Sequence, residues 1–352
     1  MTHLPNIPPA DIAQIATLDD LDHLLSRPST RDVDCLRCLH GDVLILGAGG
    51  KMGPSLARRL SRASREAGTQ RRIVAVSRFS SAGARNSFER AAIETMVCDL
   101  LDRAAVDRLP RFPLVIYLAG RKFGTSDRPD LTWAINALAP VHVAEFFAGS
   151  RVVYLSTGNV YAPVPVAGTG STETDTLEPH GDYARSCVAR ERLIEYVSRE
   201  RAAPCALVRL NYAVDLRYGV VMDVGRRVFS GEPVDLTVGY FNAIWQGDAV
   251  SYTIRVLEHC ASPPFVINVT GAEKIRVRDL ANAFGERFGR APRFCGGEGA
   301  TALLSDANRC HTLLGPPDVS FERLFDWAAR WIEIGGATLN KPTAYDVTDG
   351  VY

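Results

Sequence analysis

The segment Gly41-Asp-Val-Leu-Ile-Leu-Gly47-Ala-Gly-Gly50-Lys-Met-Gly53 narrows the possible folds more than any other stretch of the chain. Its apolar run, Val43 to Leu46, has the character of a buried parallel strand and leads directly into glycines 47, 50 and 53, spaced G-x-x-G-x-x-G. Around and beyond this turn Met52, Leu56 and Leu60 fall on one helical stripe, while Arg58, Arg59 and Arg62 fall off it. Gly47 permits a tight strand-to-helix turn, Gly50 lets the backbone approach a pyrophosphate, and Gly53 lets helix and strand pack closely. The helix N-terminus adds free N–H groups and a partial positive charge for phosphates. Glycine also caps helices and fills loops. Here strand, turn and helix come in the order a dinucleotide needs, which predicts a dinucleotide-binding turn with Gly47, Gly50, Lys51, Met52 and Gly53 at the ligand.

At 352 residues and 46% hydrophobic, the chain can bury a large core in one domain, or in one large and one smaller domain. Its 40 basic and 40 acidic side chains cancel and no basic block stands out, which argues against nucleic acid or an anionic membrane surface as main partner. No apolar run approaches the roughly 18–20 residues that cross a bilayer. Met1 to Ala10 is polar and proline-rich, without the basic start and apolar core of an export signal. Eight cysteines are scattered, several in apolar runs (Cys98, Cys205), as in reduced cytoplasmic proteins, so a cytoplasmic location is expected. Cys35-x-x-Cys38 with His40 nearby has part of a metal-binding pattern, but no second pair follows at ligand spacing and no metal is predicted.

Residues 1–40 form an extension in which Leu18, Leu21, Leu24 and Leu25 predict one short amphipathic helix. From 41 to about 210, strands at 43–47, 72–77, 94–98, 113–118, 151–156 and 205–210 alternate with helices starting near 52, 87, 102, 129 and 183. That alternation predicts an α/β fold, a Rossmann-type doubly wound parallel sheet with helices on both faces. Residues 211–335 mix short strands with helical runs at 276–289 and 320–333. They read as a smaller C-terminal α+β substrate region, laid over the open edge of the sheet and interleaved with its core. Residues 336–352 read as a polar tail.

Further motifs follow in a fixed order: Cys98-Asp99-Leu100, Leu118-Ala119-Gly120, Leu155-Ser156-Thr157-Gly158-Asn159-Val160-Tyr161, then Glu173, Pro179 and Tyr183-Ala-Arg-Ser-Cys187. Beyond them come Arg209-Leu-Asn211-Tyr212, Gly231-Glu-Pro233, Gln246-Gly-Asp248-Ala-Val and Ile267-Asn-Val-Thr-Gly271. The series resembles the extended short-chain dehydrogenase/reductases, the NAD(P)-dependent epimerase/dehydratase family, over about residues 41–335. The resemblance implies that Asp99 and Leu100 meet adenine, that Leu118, Ala119 and Gly120 flank the nicotinamide ribose, and that Asn211 touches the cofactor. It implies Tyr183 as acid/base and Thr157 as the group that polarises a substrate oxygen. Gly158, Asn159, Tyr212, Arg217 and Trp245 become candidate substrate contacts, Asn136 a structural residue, and His180 a candidate for the mouth of the site.

One departure stands out. The family motif is Y-x-x-x-K, and the lysine position holds Cys187. In the family that lysine binds the nicotinamide ribose and lowers the tyrosine pKa; a thiol, neutral and a weak donor, does neither. Either another cation takes over, or Tyr183 works as a neutral hydrogen-bonding acid, or the redox step is gone. Lys122, in the loop leaving the fourth strand, is the first candidate and is read as catalytic. Arg190 lies one turn beyond Cys187 on the same face and is expected in salt bridges with Glu191 or Glu195. Cys187 itself reads as a small packing residue.

The second strand ends in Ser77-Arg78-Phe79. NAD-selective enzymes usually carry an acid there, about 20 residues past the glycines, whereas an arginine accommodates a 2′-phosphate. Ser77 and Arg78, with Arg71, Arg72 or Lys51 as further charge, therefore predict NADP, with NAD possible. Together the residues and the resemblance imply an NAD(P)-dependent oxidoreductase or epimerase acting on a hydroxyl or ketone of a small polyhydroxylated substrate such as a sugar or sugar acid. Two alternatives are a non-catalytic dinucleotide sensor, against which the joint presence of Thr157 and Tyr183 counts, and a non-redox lyase or dehydratase. Against the latter, Gly158 and Asn159 stand where dehydratases usually have acids. The helical stretches 129–148 and 183–200 are more apolar than one buried stripe requires, and the resemblance implies that they pair in a homodimer.

Overall fold

The computed structural model describes residues 15–80, 83–125, 127–341, 343–345, 347 and 350; the stretch read for an export signal, Met1 to Ala10, lies outside them. Seven strands make one sheet: β1 Val43–Leu46, β2 Ile73–Ser77, β3 Glu94–Val97, β4 Leu114–Tyr117, β5 Arg151–Thr157, β6 Cys205–Leu210 and β7 Phe265–Val269. Their order is β3-β2-β1-β4-β5-β6-β7, with every neighbouring pair parallel. All residues of β1 and β4 are buried. A central strand covered on both faces must be apolar on both sides, which is why these segments read as unbroken apolar runs. The chain winds outward from β1 to β3, then crosses to β4 and winds the other way. The loops after β1 and β4 therefore diverge and open a crevice beyond the strand ends, where such sheets bind ligands.

The six strands read from the sequence agree with the structure to within a residue or so at each end. The seventh, β7, pairs with β6 from Phe265↔Ala206 to Val269↔Leu210, so the chain returns to the sheet from within 211–335. The helices that matter for the site are α1 Leu18–Leu25, α2 Thr30–Cys38, α3 Gly53–Glu66, α4 (Pro129–Trp133, a π turn Ala134–Leu138, and Ala139–Phe146) and α5 Gly181–Arg201. Next come α6 Val220–Ser230, α7 Gln246–Arg255, α8 Val277–Phe288 and α9 Phe321–Glu333. Helices α6, α8 and α9 enclose a second core around Phe284, Trp327 and Trp331.

The extension holds two helices among the described residues, not one. Both start in reciprocal capping boxes, Thr17 with Asp20 and Ser29 with Asp32. Leu21 and Leu25 of α1 enter the second core, while Cys35 and Leu36 of α2 enter the core beneath the sheet. Asp32, fully buried, bonds Arg59 of α3 at 2.6 Å and accepts from Ser251 of α7 at 2.5 Å. The extension thus fastens the two cores together.

Candidate active site

Two adjoining cavities fill the crevice. The first, about 430 Å³, runs along the glycine turn, past Ser77 and Arg78 at the end of β2, Asp99 and Leu100 after β3, and the loop 118–123 after β4. The three motif glycines serve it differently. A Cβ at Gly47, whose φ is +77°, would lie 2.5 Å from the Ala119 nitrogen, and one at Gly53 would lie 1.9 Å from the Ala48 oxygen. Strand and helix approach demand glycine at both. At Gly50 the nearest protein atom would be 3.6 Å away, so the fold itself leaves room for a side chain and the free space faces the cavity. A glycine turn opening α3, with an empty cradle at Gly50, fits a dinucleotide pyrophosphate.

Ser77 and Arg78 line this cavity, and no acid accompanies them on β2. Arg71 and Arg72 do not join them. Arg71 donates to the Leu36 and Leu39 carbonyls, and Arg72 forms a two-point pair with Glu94. Both sit at the far end of β2, because a strand carries its first and last residues to opposite edges of the sheet.

The second cavity, about 290 Å³, gathers Thr157, Asn159 and Tyr183 with Leu118, Ala119 and Gly120. Asn211, Tyr212, Lys51 and Met52 line it too, so Lys51 and Met52 stand on the Tyr183 side of the turn. Thr157 ends β5 and its hydroxyl donates to Asn159 Oδ1 at 2.9 Å. Gly158 packs away from the cavity, where a Cβ would come within 3.1 Å of Asn211, and Asn211 is held by Asn242 at 2.9 Å. His180 is exposed at the start of α5. Two candidate substrate contacts are elsewhere. Arg217 pairs with Asp215 at 2.6 Å and Asp22 at 3.4 Å, which locks its guanidinium outside the cavity. Trp245 is buried in the second core with its ring 5.2 Å from that of Trp327.

Tyr183 sits in the first turn of α5, where the helix N-terminus favours negative charge. Cys187 is fully buried beside it, and burial pushes the thiol up, so it stays neutral. The expected pairing of Arg190 with Glu191 or Glu195 does not occur. Glu191 takes Arg209 at 2.7 Å and Ser156 at 2.6 Å; Glu195 takes Arg192 and Arg199 at the surface. Arg190 instead turns inward, because a helical side chain leans toward the N-terminus over the residue one turn earlier. Its guanidinium donates to the Asn136 carbonyl at 2.8 Å and the Leu155 carbonyl at 2.5 Å, and lies 3.9 Å from Cys187 Sγ. Burial opposes its charge, yet the neighbouring Cys187, Tyr117 and Tyr183 groups outweigh that and hold its pKa up. It lines the same cavity as Tyr183. The i, i+3 spacing to Cys187 was the one signal of this in the sequence.

Asn136 lies in the π turn of α4. Its side chain pairs with both backbone groups of Arg121, at 2.8 and 2.9 Å, and donates to Ser186 at 3.0 Å, so it fixes the loop that carries Lys122. Lys122 lines both cavities and donates to the Thr343 carbonyl at 3.4 Å; burial pushes its ammonium down to about 8. Thr343 belongs to the segment read as a polar tail. Its hydroxyl donates to Asp223 at 2.5 Å and the residue walls the second cavity. Nothing in the sequence pointed to Thr343 or Tyr218 as part of the site.

Residues 43–214 match the NAD dependent epimerase/dehydratase family. Over these residues the chain is similar to that family. Its fold is that of a short-chain dehydrogenase/reductase-like enzyme. Its structure resembles Pal from Bacillus thuringiensis (17% identity, TM-score 0.68, covering 83% of this chain and 99% of that one). It also resembles UDP-glucuronic acid 4-epimerase from Bacillus cereus, solved in complex with NAD (17%, 0.68, 83% and 98%). A third is UDP-glucose 4-epimerase from Thermotoga maritima, solved with UDP-glucose (19%, 0.68, 83% and 98%). At such identities the likeness is one of fold. No curated protein matches the chain by sequence.

Proposed function

We propose that this protein is an NAD(P)-dependent oxidoreductase or epimerase acting on a hydroxyl or ketone of a small polyhydroxylated substrate. One observation carries the reading: Tyr183 and Thr157 share a single cavity with the 118–120 segment, next to the glycine-turn cavity. When bound, the nicotinamide supplies hydride exchange with the substrate carbon. Thr157 holds the substrate oxygen by hydrogen bonding, and Tyr183 exchanges a proton with that oxygen. Arg190 does the electrostatic part of the missing lysine's work. It is always charged and, buried on the Tyr183 helix face, favours the phenolate. Having no proton to give up, it cannot relay one. Lys122, reaching both cavities, serves the cofactor ribose or phosphates.

The absence of an acid beside Ser77 and the presence of Arg78 favour NADP over NAD. All eight cysteines are free thiols, which suits a cytoplasmic location, and no helix among the described residues is long and apolar enough to cross a membrane. Fluorescence titration of NADPH and NADH tests the cofactor. NADPH should bind more tightly, and Arg78→Ala should weaken NADPH by about tenfold while sparing NADH, the loss of one charged phosphate contact. Tighter NADH, or NADPH unmoved by the substitution, overturns the choice. Failure of both to bind overturns the enzyme.

A further inference from the structure

Resting on the function proposed above, we propose that Lys51 binds an anionic group, a carboxylate or phosphate, carried by the substrate close to its reacting carbon. Among the described residues, those lining the second cavity include three cations, Lys51, Lys122 and Arg190, and no aspartate or glutamate. The three are not equivalent. Arg190 is turned onto the carbonyls of Asn136 and Leu155, and Lys122 is shared with the glycine-turn cavity.

Lys51 faces the catalytic cavity alone of the two: it does not line the glycine-turn cavity, although it belongs to the glycine turn. Its side chain runs toward the C-terminal region, donates one bond to the Ala213 carbonyl at 2.9 Å and rests 4.6 Å over the Tyr218 ring. An ammonium has three donors, so this leaves capacity for a ligand. The nearby carboxylate that could neutralise it, Asp215, is gripped at both oxygens by Arg217, at 3.0 and 2.6 Å. Burying a cation without a paired anion is costly. That cost is visible in Lys51, which burial pushes down to about 8 against the opposing pull of Asp215, with Arg217 and Lys122 acting in the same direction as burial. An anion arriving in the cavity would offset the cost. Since Lys51 and Tyr183 line one cavity of about 290 Å³, the anion and the reacting carbon belong to the same compact end of the substrate.

The test uses the full-length protein saturated with NADPH or NADH, titrated with glucose, glucuronate and glucose 6-phosphate, with heat of binding and thermal shift as readouts. Glucuronate or glucose 6-phosphate should bind at least about tenfold more tightly than glucose, and which of the two wins names the group as carboxylate or phosphate. Lys51→Met should erase that difference with dinucleotide affinity within about twofold of the parent, and Lys51→Arg should keep most of it. Three results overturn the proposal: charged sugars binding no better than glucose, a charge preference that survives Lys51→Met, or dinucleotide binding that falls with Lys51→Met as far as sugar binding does. If neither dinucleotide binds, the function above fails by itself, and the same three sugars titrated into the unloaded parent and Lys51→Met proteins still decide the anion site.

Discussion

Arg190 reaches the space beneath Tyr183 because the residue it leans over, Cys187, is small and uncharged at neutral pH. The pair stand where the resemblance implies one lysine. Arg190→Met should therefore lower kcat by about 10²–10⁴-fold, the range for losing assistance to an acid/base group. The basic limb of the pH profile should also move upward, since Tyr183 would lose the cation that favours its phenolate. Arg190→Lys should recover part of the rate, as a shorter point charge. Cys187→Lys should help only in the Arg190→Met background, because in the parent the guanidinium already fills the space. Lys122→Met should act mainly on KM, with kcat nearly intact. A parallel fall in kcat from Lys122→Met, with Arg190→Met silent, would return the catalytic role to Lys122. At this scale the sequence located Tyr183, Thr157 and the gap at Cys187. That Arg190 lines the Tyr183 cavity was decided by the direction of one side chain.

At the scale of elements, β1, the glycine turn and α3 were legible because their signals are local: an apolar run, spaced glycines, a helical stripe. Helix α2 was not read, although Ser29-x-x-Asp32 is a capping pattern, because its buried face is small and Asp32 is charged. Asp32 is also what holds α2 in place. Burial alone would raise its pKa, but Arg59, Ser251, Ser29 and Arg255 outweigh that and hold its carboxyl below the usual value. Its contribution to stability is therefore present above the unfolded-state value of about 3.9 and is lost as pH falls through the lower folded value. Asp32→Ala should destabilise the fold by about 3–5 kcal/mol, the cost of stranding buried cations. Asp32→Asn should lose more stability relative to the parent at pH 7 than at pH 3. Urea melts at the two pH values check both; equal losses would mean that the charge contributes nothing.

For the whole molecule, α4 and α5 leave large apolar side chains outside. Leu138 is 50% exposed, Leu193 40%, Trp133 39% and Tyr196 63%. We propose that these side chains meet a second copy across a two-fold axis. Light scattering should give about twice the 38.4 kDa chain mass, and joining Leu138→Glu with Leu193→Glu should give the monomer mass with the parent's circular dichroism spectrum and a lower thermal midpoint. A parent monomer at micromolar concentration overturns it. The sequence by itself determined the alternation of strand and helix and the glycine turn, because backbone bonding and burial repeat over a few neighbouring residues. Only the tertiary structure decided that β7 returns to the sheet, that Trp245 and Arg217 serve packing and pairing, that Thr343 walls the cavity, and that Lys51 lines the cavity of Tyr183. Each of those depends on which distant surface a side chain meets, and no local spacing encodes that.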